Sequence, residues 1–176
     1  MSFREIEPKG LNVAIFAAFD DGWALVSAGT EERANTMTIS WGALGTLWST
    51  PTATVYIRQS RYTKEFVDAN DCFTISYYGP ESHQALAYLG SHSGRDEDKV
   101  PKVGLTQQMF AAADGTLAPA YAEAELVLVC RKMYQVDMPV AGIVDRSVAE
   151  RQYADVNDFH TQYVGFVEKA YLRDEE

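Results

Sequence analysis

Polar and apolar residues alternate most regularly from Asn35 to Trp41. There Thr36, Thr38 and Ser40 fall on one side of an extended chain and Met37, Ile39 and Trp41 on the other. The pattern predicts a strand with a row of short hydroxyls along one face. Residues 42–51 read as a connection, and Thr52–Arg58, rich in β-branched and aromatic residues, predicts a second strand. The polar turn Ser60-Arg61-Tyr62-Thr63 then opens a short helix that stops at Asn70-Asp71, with Thr63 as its expected N-cap.

The same pattern predicts further strands at Trp23–Ala28, Cys72–Tyr78, Glu123–Tyr134, Met138–Asp145 and Phe159–Tyr171, the last with a bulge or close approach at Gly165. Asn12–Phe19 fits either a strand or a small helix, and Pro80–Gly90 has helical spacing at Ala85, Leu86 and Leu89. Phe3–Leu11 reads as a polar lead-in, Thr106–Ala118 as mixed and loop-like, and Arg146–Asp158 as polar. About six or seven strands with two or three short helices, lacking any regular strand–helix alternation, argue against a doubly wound parallel sheet. A mainly β fold, a closed or split antiparallel barrel, is the expectation.

At 176 residues the chain fits one domain spanning 1–176, and 47% hydrophobic residues supply a core. The formal charge of −10 disfavours nucleic acid or an anionic membrane as partner, and obliges any bound phosphate to find a local positive pocket. Cys72 and Cys130 lie far apart in apolar surroundings, as buried free thiols of a reducing compartment do. No signal-peptide pattern and no membrane-length apolar run is present, so a cytoplasmic protein is expected.

A phosphate monoester is held economically by an arginine fork, a hydroxyl or two and the free N–H groups of a helix start, and residues 60–63 offer all three. An ordinary capped helix with a solvated Arg61 would use the same residues. The hydroxyl strand beside it suits the polar edge of a flat heteroaromatic such as a flavin, with Trp41 and Trp48 available as walls; equally, it suits a half-exposed sheet face and core tryptophans. Three histidines without HExxH and two distant cysteines give no metal signature. No GxGxxG, GxxxxGK[ST] or GxSxG is present.

The segments NTMTISWG, ATVYIRQSRYT, GSHSGRDEDK and HTQYVG, in that order, resemble the flavin reductase-like family of FMN-binding split-barrel proteins. The resemblance runs roughly from Trp23 to Val167. It implies a Greek-key split barrel, a homodimer with FMN near the subunit interface, and flavin reduced by NADH or NADPH before a small-molecule or protein acceptor takes the electrons. Carried over by position, Thr38, Ser40 and Trp41 would meet the ring and ribityl side, and Ser60, Arg61 and Thr63 the phosphate. Arg58 would either add a second positive charge or pair with a surface carboxylate. Ser93, Gly94, Arg95 and Lys99 match a loop that contacts or covers the flavin, although a solvated loop pairing Arg95 and Lys99 with Asp96, Glu97 or Asp98 is the plainer reading. His160 matches a histidine bordering the nicotinamide or substrate side and is the candidate catalytic residue. Phe166 stands where many relatives carry an acidic residue, which questions the nicotinamide side. Two alternatives follow: an FMN-binding electron carrier reduced by a protein partner without nicotinamide, and a split-barrel protein that binds haem or another ligand without catalysis.

Overall fold

The hydrogen-bond order of the main sheet and the order of the chain together force its shape. A computed structural model describes residues 2–174. In it β1 (Phe3–Ile6), β2 (Ala24–Gly29), β3 (Ala34–Ile39), β4 (Gly42–Leu47), β5 (Thr50–Arg58), β6 (Cys72–Tyr77), β9 (Leu126–Met138) and β10 (His160–Arg173) form one antiparallel sheet in the order β3-β2-β6-β9-β10-β5-β4, with β1 also on β10. Strands β7 (Gln107–Ala111) and β8 (Leu117–Tyr121) form a separate hairpin. Laid flat, β3 and β4 would be about 29 Å apart at ~4.8 Å per strand. Only Ser40 and Trp41 join them, a link that spans about 10 Å fully extended. The sheet therefore curls until its two edges meet without pairing, which is the expected split antiparallel barrel of a mainly β fold.

Inside the barrel lie Val26, Met37, Ile39, Val55, Ile57, Phe73, Ile75, Leu128 and Tyr163, closed at the ends by Phe19 of α1 (Ile15–Asp20) and by Phe66 and Val67 of α2 (Tyr62–Ala69). The outer face of β2, β6 and β9 is covered by Leu86 and Leu89 of α3 (His83–Ser91) and by Phe110 and Tyr121 of the β7–β8 hairpin. With both faces covered, β2 and β6 are buried along their whole length. A last helix, α4 (Arg146–Gln152), capped by Asp145, lies in the connection from β9 to β10. Among the described residues no helix is long and apolar enough to cross a membrane.

Several expected elements differ. Residues 42–51 are the β4–β5 hairpin rather than a connection; its two-residue turn places Trp48 and Ser49 at φ 50° and 61°, a conformation that sequences usually mark with Asn-Gly. Thr106–Ala118 contains the start of a second hairpin, turned at Asp114-Gly115 with Gly115 at φ 87°. Met138–Asp145 is not a strand: β9 ends at Met138, where Pro139 cannot donate to the ladder, and a short 3-10 turn follows. Asn12–Phe19 ends as α1, and the lead-in carries β1. Thr63 does not cap α2; Arg61 occupies the N-cap position with no side-chain bond, and Thr63 Oγ1 accepts from Asn35 Nδ2 at 2.8 Å.

Gly165 does sit at a register shift of β10 against β9. A Cβ there would lie 2.8 Å from both Cys130 Cβ and the Phe73 ring. Gly165→Ala should therefore cost about 1–3 kcal/mol through overpacking, read as a lower urea midpoint at unchanged slope. An unchanged midpoint would show that the bulge relaxes freely.

Candidate functional site

The edge-to-edge closure puts two adjoining cavities at one end of the barrel. The larger, about 230 Å³, is lined by Thr38, Ser40 and Trp41 from the end of β3 and its exit, by Tyr56 and Arg58 from β5, and by His160. The smaller, about 110 Å³, is lined by Ser60, Thr63, His92, Ser93, Gly94 and Lys99 among others. Met37 and Arg61 line both, so Arg61 stands at the junction.

Strand register builds the larger cleft. β10 runs antiparallel to β5 with His160 opposite Arg58, and Tyr56 shares the Arg58 face by strand alternation. The Thr38 hydroxyl is spent inside the fold, donating to Leu86 O at 2.5 Å and seating α3 on β3. The Ser40 hydroxyl has no protein partner among the described residues, and Trp41 is 41% exposed. Arg58 holds the β9–β10 connection: it donates to Asp158 O at 2.9 Å and Gln152 O at 2.7 Å, pairs with the Asp158 carboxylate at 3.8 Å, and lies over the Tyr153 ring. Of the two readings for Arg58, this geometry favours pairing. His160 is 6% exposed, and burial, reinforced by Arg58 and Arg61 against an opposing Asp158, pushes its imidazolium down to about 4. It is neutral across the physiological range.

The smaller cleft is a concentration of positive charge. Lys99 is 3% exposed, and its ammonium donates to Leu89 O at 2.6 Å and His92 O at 2.8 Å. Burial first, then the Arg61 charge, lower it to about 8, opposed by Glu97, which is itself engaged by Tyr88 and Lys102. Among the described residues neither Arg61 nor Lys99 forms an ion pair, and Arg61 donates only to Gly90 O. The start of α2 faces the same cavity with no side-chain cap, leaving its first N–H groups without a side-chain acceptor. Gly94 closes one wall, where a Cβ would fall 2.2 Å from Asn35 Oδ1. Arg95 does not pair with its acidic neighbours; it binds Ser60 O and Glu65 and covers Tyr62, tying the 91–99 loop to α2. Ser60 gives both its N–H and its hydroxyl to the Asp158 carboxylate, at 2.9 and 3.0 Å.

The match of the chain to the flavin reductase like domain covers residues 16–176. The chain belongs to that family. Among curated proteins there is no significant match. Solved structures agree in fold: a flavoredoxin from Methanosarcina acetivorans (22% identity, 87% of this chain and 69% of that one, TM-score 0.66) and an FMN-binding domain of a flavin reductase-like enzyme from Shewanella baltica (20%, 97% and 77%, TM-score 0.67). A Streptomyces globisporus NADH:FAD oxidoreductase aligns at 17% identity over 86% of this chain and 75% of that one, with TM-score 0.62.

Of the residues singled out from sequence, Thr38, Ser40, Trp41, Arg58, Arg61 and His160 line the larger cleft of this family member, and Ser60, Arg61, Thr63, Ser93, Gly94 and Lys99 the smaller. Arg95 lines neither. Phe166 lies six residues along β10 from His160, about 20 Å away on an extended strand, and borders neither cavity. The side chain at this position therefore does not line this cleft within one chain. Sequence reading missed Asn35, Tyr56, His92 and Gln152; only Tyr56 was within reach, through its period-two relation to Arg58.

Because the Lys99 pKa falls on folding, unfolded chains bind more protons than folded ones between about pH 8 and the ordinary lysine value. Burying the ammonium is a full cost below pH 8 that is released as pH rises through that window. The stability of the wild type relative to Lys99→Met should accordingly increase from pH 8 to 10 in matched denaturant titrations. A difference that stays flat would show that Lys99 is not desolvated.

Proposed function

We propose that the chain binds FMN with its phosphate in the smaller cleft and its ring in the larger, and acts as an NADH- or NADPH-dependent oxidoreductase. The observation that carries this reading is a buried ammonium, Lys99, sharing one cavity with the exposed Arg61 guanidinium, neither in an ion pair among the described residues, in a protein of net charge −10. Burying Lys99 beside a second positive charge, across a cavity from an uncapped helix start, is costly alone and favourable around a phosphate. The fit extends to the larger cleft, where Trp41 and Tyr56 offer flat surfaces and Ser40 an uncommitted hydroxyl for a ring edge.

Bound FMN would supply hydride acceptance from a nicotinamide and onward electron transfer to a second acceptor. The chain's own contribution is placement and field. Arg61 and Lys99 anchor the phosphate, the first turn of α2 adds N–H donors, and the 91–99 loop, pinned by Arg95, shields that end from water. Ser40 and the backbone of the β3–β4 link orient the ring edge, and His160 presents an uncharged imidazole beside it. The apolar Met133, Tyr134, Val136 and Met138 on the outer half of β9, with Trp48 at the hairpin tip, are exposed and suit a second copy of the chain, as a homodimer.

Arg61→Ala should weaken FMN about tenfold to a hundredfold while barely changing riboflavin, measured by fluorescence titration. Equal losses for both would move the phosphate elsewhere. Anaerobic NADH or NADPH should bleach the bound flavin faster than free FMN; bleaching no faster than free flavin with either nucleotide would contradict the nicotinamide step and favour a carrier reduced by a protein partner. Phosphate binding should also raise the Lys99 pKa, so that FMN takes up protons near pH 8.5 and riboflavin does not, read calorimetrically from the dependence of binding heat on buffer ionisation.

A further inference from the structure

His160 is held between two aromatic side chains. Trp41 lies 5.1 Å from its ring centroid, the Tyr153 ring stands edge-on at 5.5 Å, and Tyr153 Oη is 2.7 Å from Nδ1. Tyr153 is itself held, because Arg58 covers its ring at 4.9 Å and binds the backbone carbonyls of Gln152 and Asp158 on either side of it. The phenol has one hydrogen-bond partner among the described residues, His160 Nδ1, and burial keeps it protonated. If Nδ1 donated, the phenolic proton of the half-buried Tyr153 would have only solvent to meet, so the protein contacts favour the phenol as donor and Nδ1 as acceptor. In that arrangement the neutral imidazole carries its proton on Nε2. Nε2 meets no protein partner, and Tyr77 Oη is the one sealed side-chain polar atom without a partner among the described residues, so Nε2 opens to the cleft that His160 lines.

We propose that Tyr153 is a positioning residue that locks His160 in the Nε2–H tautomer, giving the cleft a neutral hydrogen-bond donor for a carbonyl oxygen of the molecule that exchanges electrons there. The charged groups facing the imidazole are Arg58 and Arg61 from β5 and the turn after it, and Asp158 from the connection; burial first, and then the two cations against Asp158, keep the ring unprotonated, so the donor does not become a charge. A carbonyl of a quinone, ketone or amide accepts from such a group, whereas an ammonium or N–H donor has nothing to bind. The substrate half of this proposal rests on the flavin reading above; the tautomer half does not.

The deciding experiment is long-range proton–nitrogen NMR of the 15N-labelled, ligand-free chain, with the His160 ring signals assigned by their loss in His160→Gln. Nε2 should carry the proton in the wild type, and Tyr153→Phe, which keeps the ring under Arg58, should give a mixture of the two tautomers. A proton on Nδ1 in the wild type, or the same single tautomer in Tyr153→Phe, overturns the proposal. With 1,4-naphthoquinone as acceptor for the flavin-loaded chain, Tyr153→Phe should raise KM about fivefold with kcat little changed. In the His160→Gln background, whose amide offers N–H without a tautomer choice, Tyr153→Phe should have no further effect, and an equal rise there also overturns it. A chain that takes up no flavin would contradict the proposed function, while the NMR spectra would still decide the tautomer.

Discussion

The two-residue link between β3 and β4 is the constraint on which the site depends. Joining opposite edges of a seven-strand hydrogen-bond path through Ser40 and Trp41 alone obliges the sheet to curl, and it puts the unpaired seam of the barrel beside those residues. Backbone groups at such a seam are not consumed by a neighbouring strand, which is what a planar ligand with alternating donors and acceptors requires. The same closure brings the end of β5 and the start of β10 to the seam, so Arg58, Arg61 and His160 arrive together although about a hundred residues separate them in sequence.

Electrostatics divides the site into two unlike halves. At the Arg61–Lys99 end, burial and like charge raise the free energy of the ligand-free state, and an anion relieves it. At the His160 end burial holds an imidazole neutral, with Arg58 and, least, the same Arg61 adding to it. Arg61 at the junction therefore favours negative charge on one side and adds a small bias against a further positive charge on the other. Asp158 balances the second side by taking the N–H and hydroxyl of Ser60, which fixes the connection that carries Tyr153.

Local pattern revealed the strands whose alternation matched their burial. β3 reads true because Met37 and Ile39 enter the barrel while Thr36 and Thr38 meet α3 and the outer layer, and the bulge at Gly165 follows from a glycine within a strong strand. The β4–β5 hairpin was hidden because Trp48-Ser49 carries none of the usual left-handed turn residues and β4 is Gly- and Ala-containing. The location of the smaller cleft was legible where it is local, as in residues 60–63, while the 93–99 loop was marked only by the family resemblance. The site was opaque where tertiary contact sets the chemistry. That Thr63 binds Asn35, that Ser60 is committed to Asp158 and that Lys99 is buried all depend on partners that no spacing rule reaches. Lys99 in particular sits in a segment whose composition reads as a solvated charged loop, yet its buried ammonium donates to the carbonyls of Leu89 in α3 and of His92 at the helix's C-cap.

The most direct test of a single ligand bridging the two clefts is a crystal structure of the chain with FMN. Phosphate oxygens should lie within hydrogen-bond distance of Arg61 and Lys99, with the ring against Trp41 and the Ser40 link. A phosphate in solvent, or a ring seated away from the β3–β4 seam, would contradict a bridging ligand.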